Sequence, residues 1–368
     1  MSTAPGAAPA APRHAVLHEL RVAAVEPLTD DSVTITFEVP GRLREAYRHT
    51  QGQHVSVRCP VAGDEARRNY SICTPAGSGV LRIAVKRLDG GVFSGYAHTR
   101  LRAGDTLEVM TPTGRFHAPL DPGRARQHVA VAVGSGITPV LSIVATTLAV
   151  EPRSRVTLLY GNRTTAGIMF LEELFDLKNR FCERFQLVNV LSREEQEAEL
   201  LNGRLDGERL GRLLDVLLPG GGDEWFLCGP RAMIEEARAT LLGRGVEGSR
   251  LHSELFHAGA DRAAPGRAVP AGPAGGGSRV TVVLDGRSSS FELGAGAEPI
   301  LDAVLRVRSD APYACKDGVC GTCRARVLSG AVTMDRNHAL EPDEVEAGFV
   351  LACQSHPASP AVTLDFDG

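Results

Sequence analysis

The sequence predicts a multidomain protein: a small antiparallel β-barrel, then a doubly wound α/β domain, then a separate acidic module organised around cysteines. Three observations predict it. Short alternating apolar runs broken by Gly/Pro turns fill the first third, strand-like and helix-like runs alternate through the middle, and Cys315-x4-Cys320-x2-Cys323 with a distant Cys353 marks the last part. At 368 residues the chain has room for two to three domains, each with its own core. A hydrophobic share of 43% with 23% charged residues is that of a soluble globular protein. The net charge of −4 gives no sign of nucleic-acid binding. The charge is uneven: from Arg279 onward 8 Lys+Arg face 13 Asp+Glu, whereas the preceding part has 32 against 31.

Residues 1–14 are rich in Ala and Pro, with no basic stretch leading into an apolar one. A disordered tail, no leader peptide and a cytoplasmic protein are therefore expected. Residues 15–122 carry runs such as Val33–Phe37 and Leu81–Val85 between turn residues, the rhythm of a small barrel. Within it, Arg68-Asn69-Tyr70-Ser71 offers an aromatic ring for stacking, a hydroxyl, and an Arg on the same strand face as the ring. Val85-Lys86 then end a strand, and Gly90-Gly91-Val92-Phe93-Ser94 open a helix, where free N–H groups favour an anion such as a phosphate. A plain hairpin turn is the alternative for the two glycines.

Residues 123–257 change rhythm. Strand-like runs (Val129–Val133, Val156–Tyr160, Phe185–Leu191, Glu224–Leu227, Leu251–Phe256) alternate with helical stretches (Pro139–Leu148, Met169–Asn179, Gly207–Leu217, Arg231–Gly243), as in a parallel sheet covered on both faces. Val129–Val150 contains no charged residue, a length that suggests a membrane span. Gly134-Ser135-Gly136 and Pro139 interrupt it, so a buried strand followed by a helix is expected, with no membrane partner. Those glycines let the backbone turn toward a diphosphate, and Pro139 suits a first helical position. Proline in place of the third glycine departs from G-x-G-x-x-G. Cys228-Gly229-Pro230, Asn162-Arg163 and Ser192-Arg193 also close strands, where ligands sit in such sheets. A solvated loop charge is the plain alternative for each Arg.

Residues 258–278 are an Ala/Gly/Pro-rich segment with nothing to bury; a flexible linker spanning on the order of 25 Å is expected. It would hold residues 279–368 at an effective concentration on the order of millimolar. In that last unit the cysteine spacing is that of plant-type 2Fe–2S ligation, three thiolates on one loop and a fourth closing the cage. A zinc site would pair its ligands twice, and the second pair is missing. Cys59, Cys73 and Cys182 lack metal spacing, and His117 and His128 have no evident partner. The acidic run Glu341, Asp343, Glu344, Glu346 reads either as a solvated face or as a docking patch.

Together Arg68-x-Tyr70-Ser71, Gly134–Pro139 and Cys228-Gly229-Pro230 resemble the signatures of the ferredoxin–NADP reductase superfamily, followed by a plant-type ferredoxin appendage. The terminal stretch from Tyr313 to Gln354 resembles that of the reductases serving phenylacetyl-CoA epoxidase; those of 3-ketosteroid 9α-hydroxylase share the domain order. The resemblance implies an FAD-binding barrel, an NAD(P)-binding domain and a β-grasp 2Fe–2S domain. It implies an oxidoreductase taking electrons from NADPH or NADH through FAD and the 2Fe–2S cluster to a terminal oxygenase docking at the ferredoxin domain.

By the same resemblance Tyr70, Ser71, Cys228 and Glu254 would be catalytic. Arg68 with Gly91, Val92, Phe93 and Ser94, beside Val85 and Lys86, would hold FAD. Gly134, Ser135, Gly136, Thr138, Asn162, Arg163, Ser192, Arg193, Gly229 and Pro230 would hold the nucleotide. Ser192 and Arg193 would read a 2′-phosphate, with Glu194 beside them. Phe256 replaces the family's flavin-stacking Tyr. Cys315, Cys320, Cys323 and Cys353 would bind the cluster. A cluster-bearing redox sensor without turnover is the competing class.

Overall fold

The computed structural model describes residues 15–61, 64–256, 277–294, 296 and 298–367. The expected tail lies outside them, as does the expected linker up to residue 276; Ser278 already opens a strand. The described residues fall into two compact units, one within His18–Ala263 and one within Ala264–Gly368, with which those up to Leu17 are grouped.

The first unit begins with β1 (Leu17–Thr29), β2 (Ser32–Glu38), β3 (His54–Val61), β4 (Asp64–Ser71), β5 (Leu81–Lys86), α1 (Val92–Thr99) and β6 (Thr106–Met110). Their sheet order is β4-β3-β6-β1-β2-β5. Ile72 pairs with Ile83, and the Cys73 N–H donates to the Arg82 carbonyl at 3.0 Å, which brings the two edges together as a barrel. Closure removes the exposed edges that an open sheet would carry. Inward-facing Leu20, Val22, Ile35, Val55, Val57 and Ile83 fill its core, as period-two alternation requires.

The second half of this unit runs β7 (Gln127–Val133), α2 (Ile137–Val150), β8 (Arg155–Asn162), α3 (Leu171–Arg180), β9 (Phe185–Leu191), α4 (Gly207–Leu217), β10 (Glu224–Gly229), α5 (Arg231–Gly243) and β11 (Leu251–Leu255). The five strands are parallel in the order β11-β10-β7-β8-β9. Strand order reverses at β7, so the crevice for a ligand opens between the ends of β7 and β10. The charge-free run is β7 plus α2, whose residues 137–148 are all buried. No helix among the described residues is long and apolar enough to cross a membrane. α2 starts at Ile137, so Pro139 occupies the third helical position, not the first as expected. The first four N–H groups of a helix lack partners, so the ring costs no hydrogen bond there.

Barrel and α/β half share one apolar cluster, with Cys73, Ala84, Phe116 and Ala118 packed among Ala130, Leu141 and Phe226. Polar ties cross the seam: Ser142 Oγ to the Thr74 carbonyl (2.7 Å), Thr146 Oγ1 from the Ala76 N–H (2.9 Å) and Arg82 to Glu173 (2.7 Å). These contacts position the strand ends of the two halves against each other.

The second unit contains β12 (Ser278–Leu284), β13 (Arg287–Leu293), α6 (Ile300–Val307), β14 (Arg324–Ser329), β15 (Val332–Met334), α7 (Pro342–Glu346), β16 (Phe349–Leu351), β17 (Ser355–Pro357) and β18 (Ala361–Asp365). A mixed sheet β13-β12-β18-β14-β16 grasps α6. Ile300, Leu301, Ala303 and Val304 of α6 join Val280, Val282, Val362 and Leu364 in its core. α7 revises the reading of the acidic run. Glu341 and Glu344 form a capping box, and Glu344, 7% exposed, also accepts from Arg324 at 3.1 Å. Asp343, in the first turn of α7, and Glu346 are exposed, and their side chains have no partner among the described residues.

Candidate active site

Arg68, Asn69, Tyr70 and Ser71 end β4. Arg68 is exposed and has no ion-pair partner among the described residues; Tyr70 is half-buried, with its ring 5.3 Å from that of Phe93. Burial pushes the Tyr70 hydroxyl upward and keeps it neutral, against the smaller opposing pull of Arg68. Gly91 caps α1 without a side-chain bond, leaving first-turn N–H groups available. Val85 and Phe93 are buried in the barrel core, so only their backbones are left for a ligand. Lys86 pairs with Asp31 at 3.3 Å, and Ser94 Oγ bridges the Leu88 N–H and Gly91 carbonyl. These two side chains close the loop instead of standing free.

Ser71 is 4% exposed, and its Oγ donates to Glu254 Oε2 at 3.2 Å, joining positions 183 residues apart. β10–β11 pairing sets Glu254 beside Cys228. Burial first, and then the Glu254 carboxylate, raise the Cys228 thiol well above its ordinary value. It is therefore a neutral, compact group at the crevice. The structure adds a residue with no signal in the sequence: His54, 4% exposed, sets Nδ1 at 3.6 Å from Glu254 Oε1 and Nε2 at 3.3 Å from Thr113 Oγ1. Pairing of β3 with β4 sets it opposite Ser71, and packing of the α/β half on the barrel brings Glu254 to it, so no local spacing could have revealed it.

At the β7 end, Tyr160 Oη donates to the Gly134 carbonyl (3.0 Å), and Thr138 Oγ1 to that of Ser135 (3.1 Å), fixing the turn. Asn162 is 9% exposed, and its amide nitrogen lacks a partner among the described residues. The Ser192 and Arg193 N–H groups bond the Asn162 and Arg163 carbonyls, so the ends of β8 and β9 lie side by side. Gly229 is buried and Pro230 exposed. Phe256 is half-buried, packs against the cluster containing Cys228, and its N–H reaches the Gly229 carbonyl at 3.2 Å.

Gly136 shows how tightly the crevice is built. A Cβ there would fall 2.2 Å from the Cys228 carbonyl oxygen and 2.9 Å from the Gly229 nitrogen, both backbone atoms. Gly136→Ala is expected to cost about 1–3 kcal/mol through overpacking and to raise the KM for nucleotide. Thermal unfolding and steady-state kinetics check it, with Gly95→Ala, whose Cβ meets nothing within 4 Å, as the tolerated control.

In the second unit, Cys315, Cys320 and Cys323 lie on the loop before β14, and Cys353 sits in the turn after β16. Lys316 (φ 58°), Gly318 (φ 74°) and Gly321 (φ 69°) give the loop three left-handed residues, which curl it around its own sulfurs. Thiols 315 and 320 perturb one another, as do 323 and 353. In each pair one thiol is raised and its partner, Cys320 or Cys353, is lowered by the neighbouring thiol. The Asp317 N–H points at Cys315 Sγ at 3.4 Å.

Three family models match in sequence: an oxidoreductase FAD-binding domain over residues 19–118, an oxidoreductase NAD-binding domain over 130–239, and a 2Fe-2S iron-sulfur cluster binding domain over 282–358. The chain is 46% identical over 351 residues to one of the subunits of the 1,2-phenylacetyl-CoA epoxidase of Escherichia coli (strain K12), covering 95% of this chain and 98% of that protein. It belongs to the ferredoxin–NADP reductase superfamily with a C-terminal 2Fe–2S domain. This reductase is also 30% identical over 354 residues to the ferredoxin reductase component of 3-ketosteroid-9-alpha-monooxygenase from Rhodococcus rhodochrous, covering 94% of this chain and 96% of that one. Among solved structures, phthalate dioxygenase reductase matches with a TM-score of 0.56 at 25% identity, covering 95% of this chain and 98% of that one.

The residues present fit the groups that the family carries. Four thiols from two segments, with a backbone N–H aimed at sulfur, suit a 2Fe–2S cluster by their chemistry. A guanidinium without an ion-pair partner, an aromatic ring and an uncapped helix start suit a flavin dinucleotide, and the orphaned Asn162 amide suits a nucleotide in the reductase's crevice.

Proposed function

We propose that this reductase is the electron-delivering component of a multicomponent monooxygenase of the phenylacetyl-CoA epoxidase type. The observation that supports it most is the convergence of Ser71, Cys228 and Glu254 where the strand ends of barrel and α/β half meet. When bound, FAD converts the two-electron chemistry of NAD(P)H into single electrons, which a 2Fe–2S cluster relays one at a time.

The chain's own residues would act as follows. Arg68 and the N–H groups of Gly91, Val92, Phe93 and Ser94 hold the FAD phosphates, with the Val85-Lys86 backbone beside them, and Tyr70 stacks on the ring. Thr138 and the neutral Cys228 flank the nicotinamide while Phe256 closes the pocket apolar. Gly134, Ser135, Gly136, Gly229 and Pro230 shape the diphosphate seat. Asn162, Arg163, Ser192 and Arg193 hold the distal nucleotide. Ser71, whose hydroxyl donates to Glu254, would offer a proton path beside the flavin edge, and His54 and Thr113 connect Glu254 to the barrel wall. Cys315, Cys320, Cys323 and Cys353 ligate the cluster, and Asp343 and Glu346 offer a salt-sensitive docking charge to the oxygenase.

The test mixes purified holoprotein, NADPH, the oxygenase components of the epoxidase and phenylacetyl-CoA. The expected result is a flavin and cluster spectrum bleached by NADPH, and epoxide formation that depends on this chain. Turnover with a ketosteroid oxygenase alone would move the assignment to the second relative's type. A protein whose spectrum NADPH leaves unchanged would point to a redox sensor instead.

A further inference from the structure

The opening at the end of β9 is lined by Leu191, Ser192, Arg193, Glu194, Glu195, Asn202 and Gly203, around about 280 Å³. Two guanidiniums stand at this end of the sheet, Arg193 and, on the adjoining strand end, Arg163, which are joined through the Arg193 N–H and the Arg163 carbonyl (2.8 Å). Both are exposed, and neither side chain has a partner among the described residues. Two acids are neighbours. Glu195 lines the opening and is open to solvent. Glu194 is held: its Oε2 accepts the Thr165 N–H at 2.7 Å, and its Oε1 accepts Thr165 Oγ1 at 2.6 Å.

The geometry points to Thr165 as a specificity-determining residue: by engaging both oxygens of Glu194 it keeps that carboxylate from Arg193 and Arg163, so that the opening favours a nucleotide bearing an extra phosphate. Hydrogen-bond capacity decides the direction. Glu194 is charged either way, but with both oxygens engaged by Thr165 it leaves the two guanidinium forks open to a dianion. Released, its oxygens would accept hydrogen bonds from Arg193, from Arg163 or from a ribose diol. The sole chemical difference between NADPH and NADH is that 2′-phosphate in place of a hydroxyl, so Thr165 would bias the choice between them. The two hydrogen bonds lower the Glu194 pKa, in keeping with a carboxylate held ionised in this clamp. The proposal deepens the reading of the crevice as the nucleotide site and rests on it.

The experiment uses the full-length holoprotein with ferricyanide as acceptor, so that neither cluster nor oxygenase enters the readout. The kcat/KM values for NADPH and NADH are compared in wild type, Thr165→Val, and Thr165→Val combined with Glu194→Gln. Wild type should favour NADPH. Thr165→Val frees Glu194 Oε1 while the backbone N–H still holds Oε2; it should lower the NADPH:NADH preference about threefold through the KM for NADPH, the scale of somewhat under one kcal/mol of binding, and Glu194→Gln should restore it. Competition by 2′,5′-ADP against 5′-ADP separates the added phosphate from the diphosphate, and the advantage of 2′,5′-ADP should shrink in Thr165→Val. An unchanged preference in Thr165→Val, or a wild type that favours NADH, overturns the proposal. Failure of every form to oxidise either nucleotide would instead remove the reading on which it rests.

Discussion

Cys353→Ser is expected to yield protein without iron or acid-labile sulfide that still reduces ferricyanide from NADPH but no longer reduces cytochrome c at a useful rate. Cys353 is 4% exposed and packs within the apolar core of the second unit together with Cys323. Serine keeps the volume roughly but supplies a hydroxyl that remains protonated at neutral pH, where a thiolate ligand is needed. Even outer partners of a metal site are worth about 10–100-fold, so losing a direct ligand should cost cytochrome c reduction about 100-fold or more. The four proposed ligands belong to the second unit and the proposed flavin residues to the first, which is why ferricyanide reduction should survive. Iron analysis, the visible spectrum and both acceptor assays decide it, and a full iron complement in the variant would refute the ligand set.

A second large effect is expected from Glu151→Ala, far from any cofactor residue. Glu151 follows α2 and is 0% exposed. It accepts from Ser154 Oγ (2.6 Å), the Asp121 N–H (2.9 Å) and His128 Nε2 (2.9 Å), while its carbonyl accepts from Arg184 (3.0 Å). One carboxylate thus ties the barrel exit, the start of β7 and the α2–β8 connection. Removing it strands a buried imidazole whose Nδ1 already lacks a partner among the described residues. Leaving the buried Ser154 and His128 donors unsatisfied costs about 1–3 kcal/mol each, and at about 2–4 °C per kcal/mol for a unit of this size the melting temperature should fall by about 10 °C.

The pH dependence follows from the same contacts. Burial alone would raise the Glu151 pKa, but the hydrogen bonds from Ser154, Asp121 and His128 outweigh it and hold the group below its ordinary 4.5. A carboxyl depressed on folding stabilises above its unfolded pKa, and that contribution is lost as pH falls through the folded value. The gap between wild type and Glu151→Ala should therefore be full at neutral pH and close below 4.5. Melting curves from pH 7 to pH 3 test this. The strand β7 separates this network from the crevice by about 20 Å, so nucleotide KM should not move.

The histidine in this network shows where reading the sequence stops. His128 has no evident partner along the chain because its acid lies 23 residues on, across a whole helix, and nothing in that spacing signals contact. The acidic run near Cys353 misleads in the opposite way. Charge alone makes Glu341 and Glu344 docking candidates, yet a capping box and Arg324 engage them. His54 and Thr165 carry no motif at all; Glu254 reaches His54 by the packing of the α/β half on the barrel, and Glu194 reaches Thr165 because β8 and β9 pair side by side.

What could be read directly was local. Cysteine spacing on one loop, glycines at a strand-to-helix turn and the alternation of β and α runs each depend on residues a few positions apart, and backbone geometry converts such spacing into shape with little outside help. The order of strands around β7, the closing of the barrel at Ile72 and Ile83, and the meeting of Ser71 with Glu254 were decided by burial of apolar faces over long chain separations. Many sequences satisfy that demand with different pairings, so only the packed structure could say which polar side chains would be left facing one another.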